Sequence, residues 1–142
     1  MTNLTAAVLS AQLERWDHLV ASRMDVDSTY RRLLSPVFGR RPIEGWAGYQ
    51  CWFATASCPE GSRTRVLERV RSSFGVDARG VWPAMNTQAA LVGDFGTAGE
   101  CPIAEALADN VIMLPTSSDM PMAEVGYVAE SLDAALSFVG VR

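Results

Sequence analysis

This sequence predicts an α/β (α+β) fold, in which helices cover a small three-stranded sheet and a long N-terminal helix precedes it. Stretches with apolar residues at helical spacing alternate with short β-prone stretches, and proline or glycine separates most of them. The chain has 142 residues, of which 49% are hydrophobic, and this suits one hydrophobic core. We therefore expect residues 1–142 to form a single domain.

The first predicted element is one long amphipathic helix that extends from about residue 4 to residue 34. Its apolar residues recur at steps of three and four, and Thr2 or Asn3 precedes it as the capping residue. We expect this helix to bend between residues 24 and 27.

One face of the long helix carries more apolar surface than the predicted sheet can cover. The residues of this face are Leu9, Leu13, Trp16 and Val20. A sheet of three short strands is too small to bury a stripe of this length. We therefore expect these four residues to lie in an interface between chains.

Three β-prone stretches follow the long helix, and further helices separate them. The predicted strands are residues 46–55, 76–82 and 111–114. The predicted helices are residues 62–74, 102–110 and 122–139. Gly75 stands where a C-cap glycine belongs, and Pro102 opens the next helix.

Composition narrows the classes of function. The net charge of −4 argues against a nucleic-acid surface. No apolar stretch approaches the roughly 20 residues of a membrane span, and the N-terminus lacks the pattern of a secretory leader, so we expect a cytoplasmic protein. All 12 basic residues are arginines. The chain therefore has no side-chain amine for imine chemistry.

Metal ligands and catalytic groups are sparse as well. Cys51, Cys58 and Cys101 form an odd set without zinc or redox spacing, and we interpret them as small apolar packing residues. His18, the single histidine, follows Asp17 on a helix, where adjacent residues do not face each other. The residues alone therefore predict neither a metal site nor a complete catalytic constellation.

Three blocks of the sequence resemble one known family. The first contains Met1, Thr2, Ala6, Ala7, Gln12, Leu13, Arg23, Tyr30 and Leu34. The second is residues 64–91, and the third is residues 101–136, with its proline-opened helix and leucine-proline strand end. Together these blocks are similar to the C-terminal small domain of the DegT family of pyridoxal-phosphate-dependent nucleotide-sugar aminotransferases, which have fold type I.

The resemblance has a direct implication for the cofactor. In this family a large N-terminal domain supplies the lysine that bonds pyridoxal phosphate. The three blocks correspond to the small domain alone, and this chain contains no lysine. We therefore expect it to bind no cofactor alone, and to take part in pyridoxal-phosphate chemistry only if a partner chain supplies the lysine.

The resemblance also implies a substrate-facing loop at residues 80–88. Its candidate binding residues are Trp82, Asn86, Thr87 and Gln88. Family members often have a histidine where this chain has Asn86, and an amide can hydrogen-bond a hydroxyl but cannot titrate near neutrality. An ordinary proline-containing loop accounts for these four residues equally well.

Three functions follow as hypotheses. The first is the small-domain subunit of a split aminotransferase in amino-sugar or secondary-metabolite biosynthesis, such as antibiotic biosynthesis, with a separate large-domain chain as its partner. The second is a stand-alone binding or assembly protein without catalysis, a homodimer formed through the long helix. The third is a cofactor-free enzyme that uses the polar groups of residues 80–88.

Overall fold

The computed structural model describes residues 2–34, 51–91 and 99–140. Within these ranges the helices are α1 (Asn3–Glu14), α2 (Trp16–Leu33), α3 (Arg63–Phe74), α4 (Pro102–Asn110) and α5 (Met122–Phe138). The strands are β1 (Thr55–Ser57), β2 (Arg79–Gly80) and β3 (Val111–Met113), and a short 3-10 helix spans Met85–Thr87. The predicted mixture of helices and a small three-stranded sheet is confirmed.

The long N-terminal helix is divided at Arg15 into α1 and α2. The Arg15 amide donates to the Gln12 carbonyl at 3.1 Å. This bond joins residues three apart in the sequence, and it makes a tighter turn than the four-residue spacing of an α-helix. Helix α2 continues without interruption through residues 24–27, where a bend was expected. Asp27 is buried there and accepts from the Arg31 side chain one turn later at 2.7 Å, which stabilises the helix at the expected bend.

Local capping chemistry determines the ends of several helices as predicted. The Thr2 hydroxyl accepts from the Thr5 amide at 3.3 Å at the start of α1. Gly75 closes α3 with φ of 67°, in the left-handed region that favours glycine. Pro102 is the first residue of α4, where its missing amide hydrogen costs nothing.

The strands are shorter than predicted, and the first is shifted along the chain. The predicted strand 46–55 ends where β1 begins, and residues 46–50 lie outside the described ranges. Of the predicted strand 76–82, Arg79–Gly80 forms β2, and the Val81 amide also donates to the Val111 carbonyl of β3 at 3.3 Å. The Val76 and Ala78 amides donate to the Val70 and Val76 carbonyls, so turn bonds replace ladder bonds there.

The central strand of the sheet is β3, and both neighbours are antiparallel to it. Ile112 pairs with Ala56 on one side and with Gly80 on the other. At the next position along β3, Met113 pairs with Thr55 and Arg79. Because side chains alternate between the two faces of a strand, these two rows lie on opposite faces of the sheet.

The row containing Ile112 and Ala56 belongs to the hydrophobic core. Helices α3 and α5 pack together over this core, and α2 packs on α5. Helix α3 buries Val66 and Val70 in this core, and α5 buries Leu132 and Leu136. Tyr30 is fully buried, and its hydroxyl donates to the Pro115 carbonyl at 3.0 Å, which fixes α2 to the segment after β3.

Helix α1 contrasts with this core. No residue of α1 is buried by the part of the chain that the structure describes. None of the helices in the described ranges is long and apolar enough to span a membrane.

Cys58 provides a test of the packing around β1. This thiol is buried, and burial raises its pKa to about 11, although nearby Arg63 acts in the opposite direction. Near pH 8 Cys58 is then almost entirely the unreactive thiol rather than the thiolate. We expect a thiol reagent to modify the exposed Cys101 in the native protein and to modify Cys58 only after unfolding.

The same shift predicts a dependence of stability on pH. The folded-state pKa of Cys58 lies above the ordinary value of 9.0, so folding favours the protonated thiol. This contribution to the free energy of unfolding is complete below about pH 9 and is lost as the pH rises toward 11. The Cys58→Ala variant should not lose stability in this way as the pH rises. For the labelling experiment, rapid reaction of Cys58 in the native protein would contradict the packing described here.

Candidate functional site

The predicted substrate loop is held together by its own polar side chains. The Asn86 amide donates to the Glu105 carboxylate on α4 and, at 3.4 Å, to the Gly99 carbonyl. The Thr87 hydroxyl donates to the Ala84 carbonyl at 2.9 Å, and the Gln88 amide donates to the Pro83 carbonyl at 3.1 Å. These three predicted site residues therefore stabilise the turn around the 3-10 helix.

Glu105 connects this loop to the beginning of α4. Its carboxylate accepts from the Asn86 side chain and from the Cys101 amide at 3.1 Å. These hydrogen bonds, of which the one from Asn86 has the larger effect, hold the pKa of Glu105 below its usual range. A cavity of about 210 Å³ lies beside them and is lined by Arg63, Thr87 and Asp109 among others.

Trp82, the fourth predicted site residue, lies in a different environment. Its indole ring stacks on that of Trp52, with centroids 5.9 Å apart and planes inclined by 27°. The Phe53 ring meets it edge-on, also at 5.9 Å, and lies 4.9 Å from Trp52. Trp52 and Trp82 are 68% and 58% exposed. We call these three rings the aromatic shelf.

The aromatic shelf borders a second cavity, on the sheet face opposite the core. This cavity has a volume of about 490 Å³. Its lining includes Phe53, Trp82, Asp77, Arg79, Met113 and Thr116. Of these, only Trp82 was predicted as a site residue from the sequence. The signal that places Phe53 on this face is the alternation along residues 53–56, in which Phe53 and Thr55 alternate with the buried Ala54 and Ala56.

One ion pair supplies the charge at this cavity. The Arg79 guanidinium donates to the Asp77 carboxylate at 2.7 Å, and both side chains are exposed. This hydrogen bond lowers the pKa of Asp77 and raises that of Arg79. The pair therefore presents an acceptor and a donor side by side while its charges balance.

The predicted interface residues form a groove along α1 and α2. Leu9, Leu13, Trp16 and Val20 line a cleft of about 560 Å³ together with Leu19, Arg23, Cys51 and Trp52. Leu13 is 59% exposed and Trp16 is 49% exposed. The structure thus brings the four residues together on one surface, and we call this surface the apolar groove.

Solved structures with the same fold define the class of this domain. A putative sugar aminotransferase from Streptococcus pneumoniae, in its PMP form, superposes with a TM-score of 0.80 over 98% of this chain at 18% identity. PseC from Helicobacter pylori, an aminotransferase of pseudoaminic acid biosynthesis, gives 0.74 over 90% at 18% identity. The aminotransferase TlmJ from Streptoalloteichus hindustanus gives 0.73 over 92% at 23% identity. The fold is that of one part of a sugar aminotransferase.

Sequence comparison identifies the family. Residues 1–133 match the DegT/DnrJ/EryC1/StrS aminotransferase family, and the chain belongs to it. GDP-perosamine synthase from Caulobacter vibrioides is 30% identical over an alignment of 145 positions that covers 96% of this chain. The match covers 38% of that synthase and 35 to 36% of the three solved chains, so this chain spans about a third of the length of its relatives.

Proposed function

We propose that this chain is the small domain of a nucleotide-sugar aminotransferase and works with a large domain that carries the pyridoxal-phosphate lysine. The sugar aminotransferase family and the coverage of about a third of each relative support this assignment. Biosynthesis of amino sugars or of secondary metabolites, antibiotics included, is the setting that the family suggests.

The apolar groove is the observation that carries the proposal. Leucines and a tryptophan on α1 and at the start of α2 keep about half or more of their surface exposed in the described structure. Burying the exposed half of one such side chain contributes about 1 kcal/mol to a complex, so several together favour association. Because the match covers only about a third of each relative, the rest of such an enzyme, its large domain, is the partner that we propose for this groove.

The residues of this chain do not fit pyridoxal phosphate as its covalent partner. Bonding of this cofactor to an enzyme needs a side-chain amine, and the sequence contains no lysine. We therefore assign no step of amino transfer to these 142 residues. Their proposed contribution is to complete the substrate cleft and to hold the large domain in its working arrangement.

Reductive trapping tests the division of labour. The chain alone, treated with pyridoxal phosphate and borohydride, should show no stable adduct in intact mass except at the α-amino terminus. With a large domain from the same organism present, the adduct should form on that domain, and transfer of an amino group to a nucleotide keto-sugar should require both parts.

Two results would contradict the proposal. One is amino transfer by the chain alone, and the other is a large domain that is equally active without it. A tight homodimer of the chain that excludes the large domain would instead favour the assembly-protein hypothesis, since the groove would then be covered by a second copy. The third hypothesis, a cofactor-free enzyme, gains no support from the loop, where Asn86, Thr87 and Gln88 bond within the protein.

A further inference from the structure

We infer that helix α1 is stably folded only when the large domain covers the apolar groove, so that helix formation and association are coupled. This coupling rests on the proposed function, because the large domain is taken as the partner that covers the groove. In the chain alone we therefore expect α1 to open and close locally, while the anchored part of α2 and the core remain folded.

Helix α1 receives little support from the rest of the domain. None of its residues, Asn3–Glu14, is buried against the other residues that the structure describes. Its described side-chain hydrogen bonds remain in the first turn, where the Thr2 hydroxyl lies 2.8 Å from the Thr5 hydroxyl and accepts from the Thr5 amide. The first residue of the described core is Val26, on α2. Since most helical stability in proteins comes from packing of an apolar face, α1 lacks its main source of stability here.

The intrinsic stability of α1 is small as well. The helix has 12 residues, and isolated helices shorter than about 12–15 residues are marginally stable in water. Its first turn has no acidic residue and its last turn has no basic one, and Glu14 at its end opposes the helix dipole. Its alanines and the Thr2 cap still favour the helix, so a modest gain from outside is enough to fold it.

The division at Arg15 separates α1 from the part of α2 that is anchored. Arg15 has φ of −103° and ψ of 8°, away from the values of an α-helix, and its side chain does not cap α2. Further along α2, the Arg23 guanidinium donates to the Trp52 carbonyl at 3.0 Å, and Tyr30 is fully buried. Opening of α1 therefore disturbs no contact of the described core.

A partner on the groove supplies the packing that α1 lacks. Leu9, Leu13 and Trp16 line the groove, and each keeps about half or more of its surface exposed. Burial of these side chains would favour the helix that holds them on one face. The free energy needed to order α1 is then subtracted from the affinity of the complex. A change of helix propensity outside the groove should therefore change the affinity without touching either the groove or the core.

Native-state hydrogen exchange measures the opening of α1. In the chain alone, we expect the amides of residues 7–14 to exchange within about tenfold of the rate of an unstructured peptide. The amides around Leu132, in the core on α5, should exchange only at the rate that global unfolding sets. With the large domain present at about 100 times its Kd, exchange of residues 7–14 should slow by about 100-fold.

Two substitutions outside the groove measure the coupling itself. Ser10 and Ala11 are exposed on α1 and are not among the residues that line the groove. Ala11→Gly lowers helix propensity and should weaken association by about fivefold, whereas Ser10→Ala raises it and should strengthen association by about twofold. Neither should change the denaturant midpoint of the chain alone, because α1 unfolds separately from the core.

Ala134→Gly is the matched control. Ala134 is an exposed residue within α5, a helix whose opposite face belongs to the core. The same loss of helix propensity should here lower the denaturant midpoint of the chain alone, because α5 unfolds together with the core. Association of the folded variant with the large domain should match that of the parent.

Three outcomes would overturn the coupling. The first is exchange of α1 in the chain alone as slow as that of α5, and the second is a complex in which α1 stays unprotected. The third is an Ala11→Gly variant that associates as tightly as the parent. With reconstitution intact, each of these removes the coupling and leaves the proposed function. Absence of any association would instead remove the proposed function and the partner named here, while fast exchange of α1 would still show that this helix is not stable by itself.

Discussion

Replacing Trp16 with glutamate is expected to weaken association with the large domain by about 30- to 1000-fold, equivalent to about 2–4 kcal/mol. Trp16 lines the apolar groove between Leu13 and Val20, and about half of its surface is exposed in the chain alone. Aromatic side chains that become desolvated at the centre of an interface commonly contribute most of its binding energy. A carboxylate in that position would have to be buried without a partner, which adds to the loss.

The folding of the chain itself should tolerate this change. Trp16 is the first residue of α2, where a negatively charged side chain interacts favourably with the helix dipole. Trp16 is about half exposed and is not part of the hydrophobic core, so the core does not depend on this side chain. The thermal midpoint of Trp16→Glu should therefore stay within a few degrees of the parent.

Sedimentation of mixtures with the large domain measures the effect, and Phe138→Glu is the control. That variant makes the same kind of change at an exposed aromatic residue outside the groove, and it should associate like the parent. If Trp16→Glu unfolds the chain, or if it associates as tightly as Phe138→Glu does, the groove is not the interface and the proposal loses its main support.

Helix ends were predicted well because their signals are local. Gly75 ends α3, Pro102 begins α4, and Thr2 caps α1, each through the backbone of its own neighbours. The division at Arg15 carries no glycine or proline, so periodicity alone predicted a continuous helix there. Strand bounds were less accurate, because pairing with β3 determines which residues of a β-prone stretch enter the sheet.

The candidate sites show the same division between local and distant information. Asn86, Thr87 and Gln88 were selected by resemblance, and the structure shows that a turn and the Glu105 carboxylate already engage them. The aromatic shelf instead joins Trp52 and Trp82, which are 30 residues apart in the sequence. Their contact depends on the order of strands in the sheet and on the paths of the segments before β1 and after β2, and neither can be read from either residue alone.

Replacing a core leucine and a groove leucine with alanine should distinguish the core from the interface, because the two replacements should lower the free energy of unfolding by different amounts. Leu132 is 1% exposed on α5 and belongs to the hydrophobic core, whereas Leu13 is more than half exposed on α1. For the chain alone, Leu132→Ala should lower the free energy of unfolding by about 2–5 kcal/mol, because it leaves a cavity among close-packed side chains. Leu13→Ala should change it by less than about 0.5 kcal/mol, the usual range of an exposed substitution.

Denaturant unfolding of the two variants measures this difference in stability. For binding to the large domain we expect the opposite order, with the larger loss at Leu13. Leu13→Ala should weaken association by about 1–2 kcal/mol, because Leu13 lies in the apolar groove. Leu132→Ala, studied at a temperature where it remains folded, should bind nearly as tightly as the parent, since its side chain faces the core. If Leu13→Ala instead destabilises the chain alone as strongly as Leu132→Ala does, helix α1 belongs to the core of this domain. Its exposed leucines would then no longer argue for a large domain that covers them.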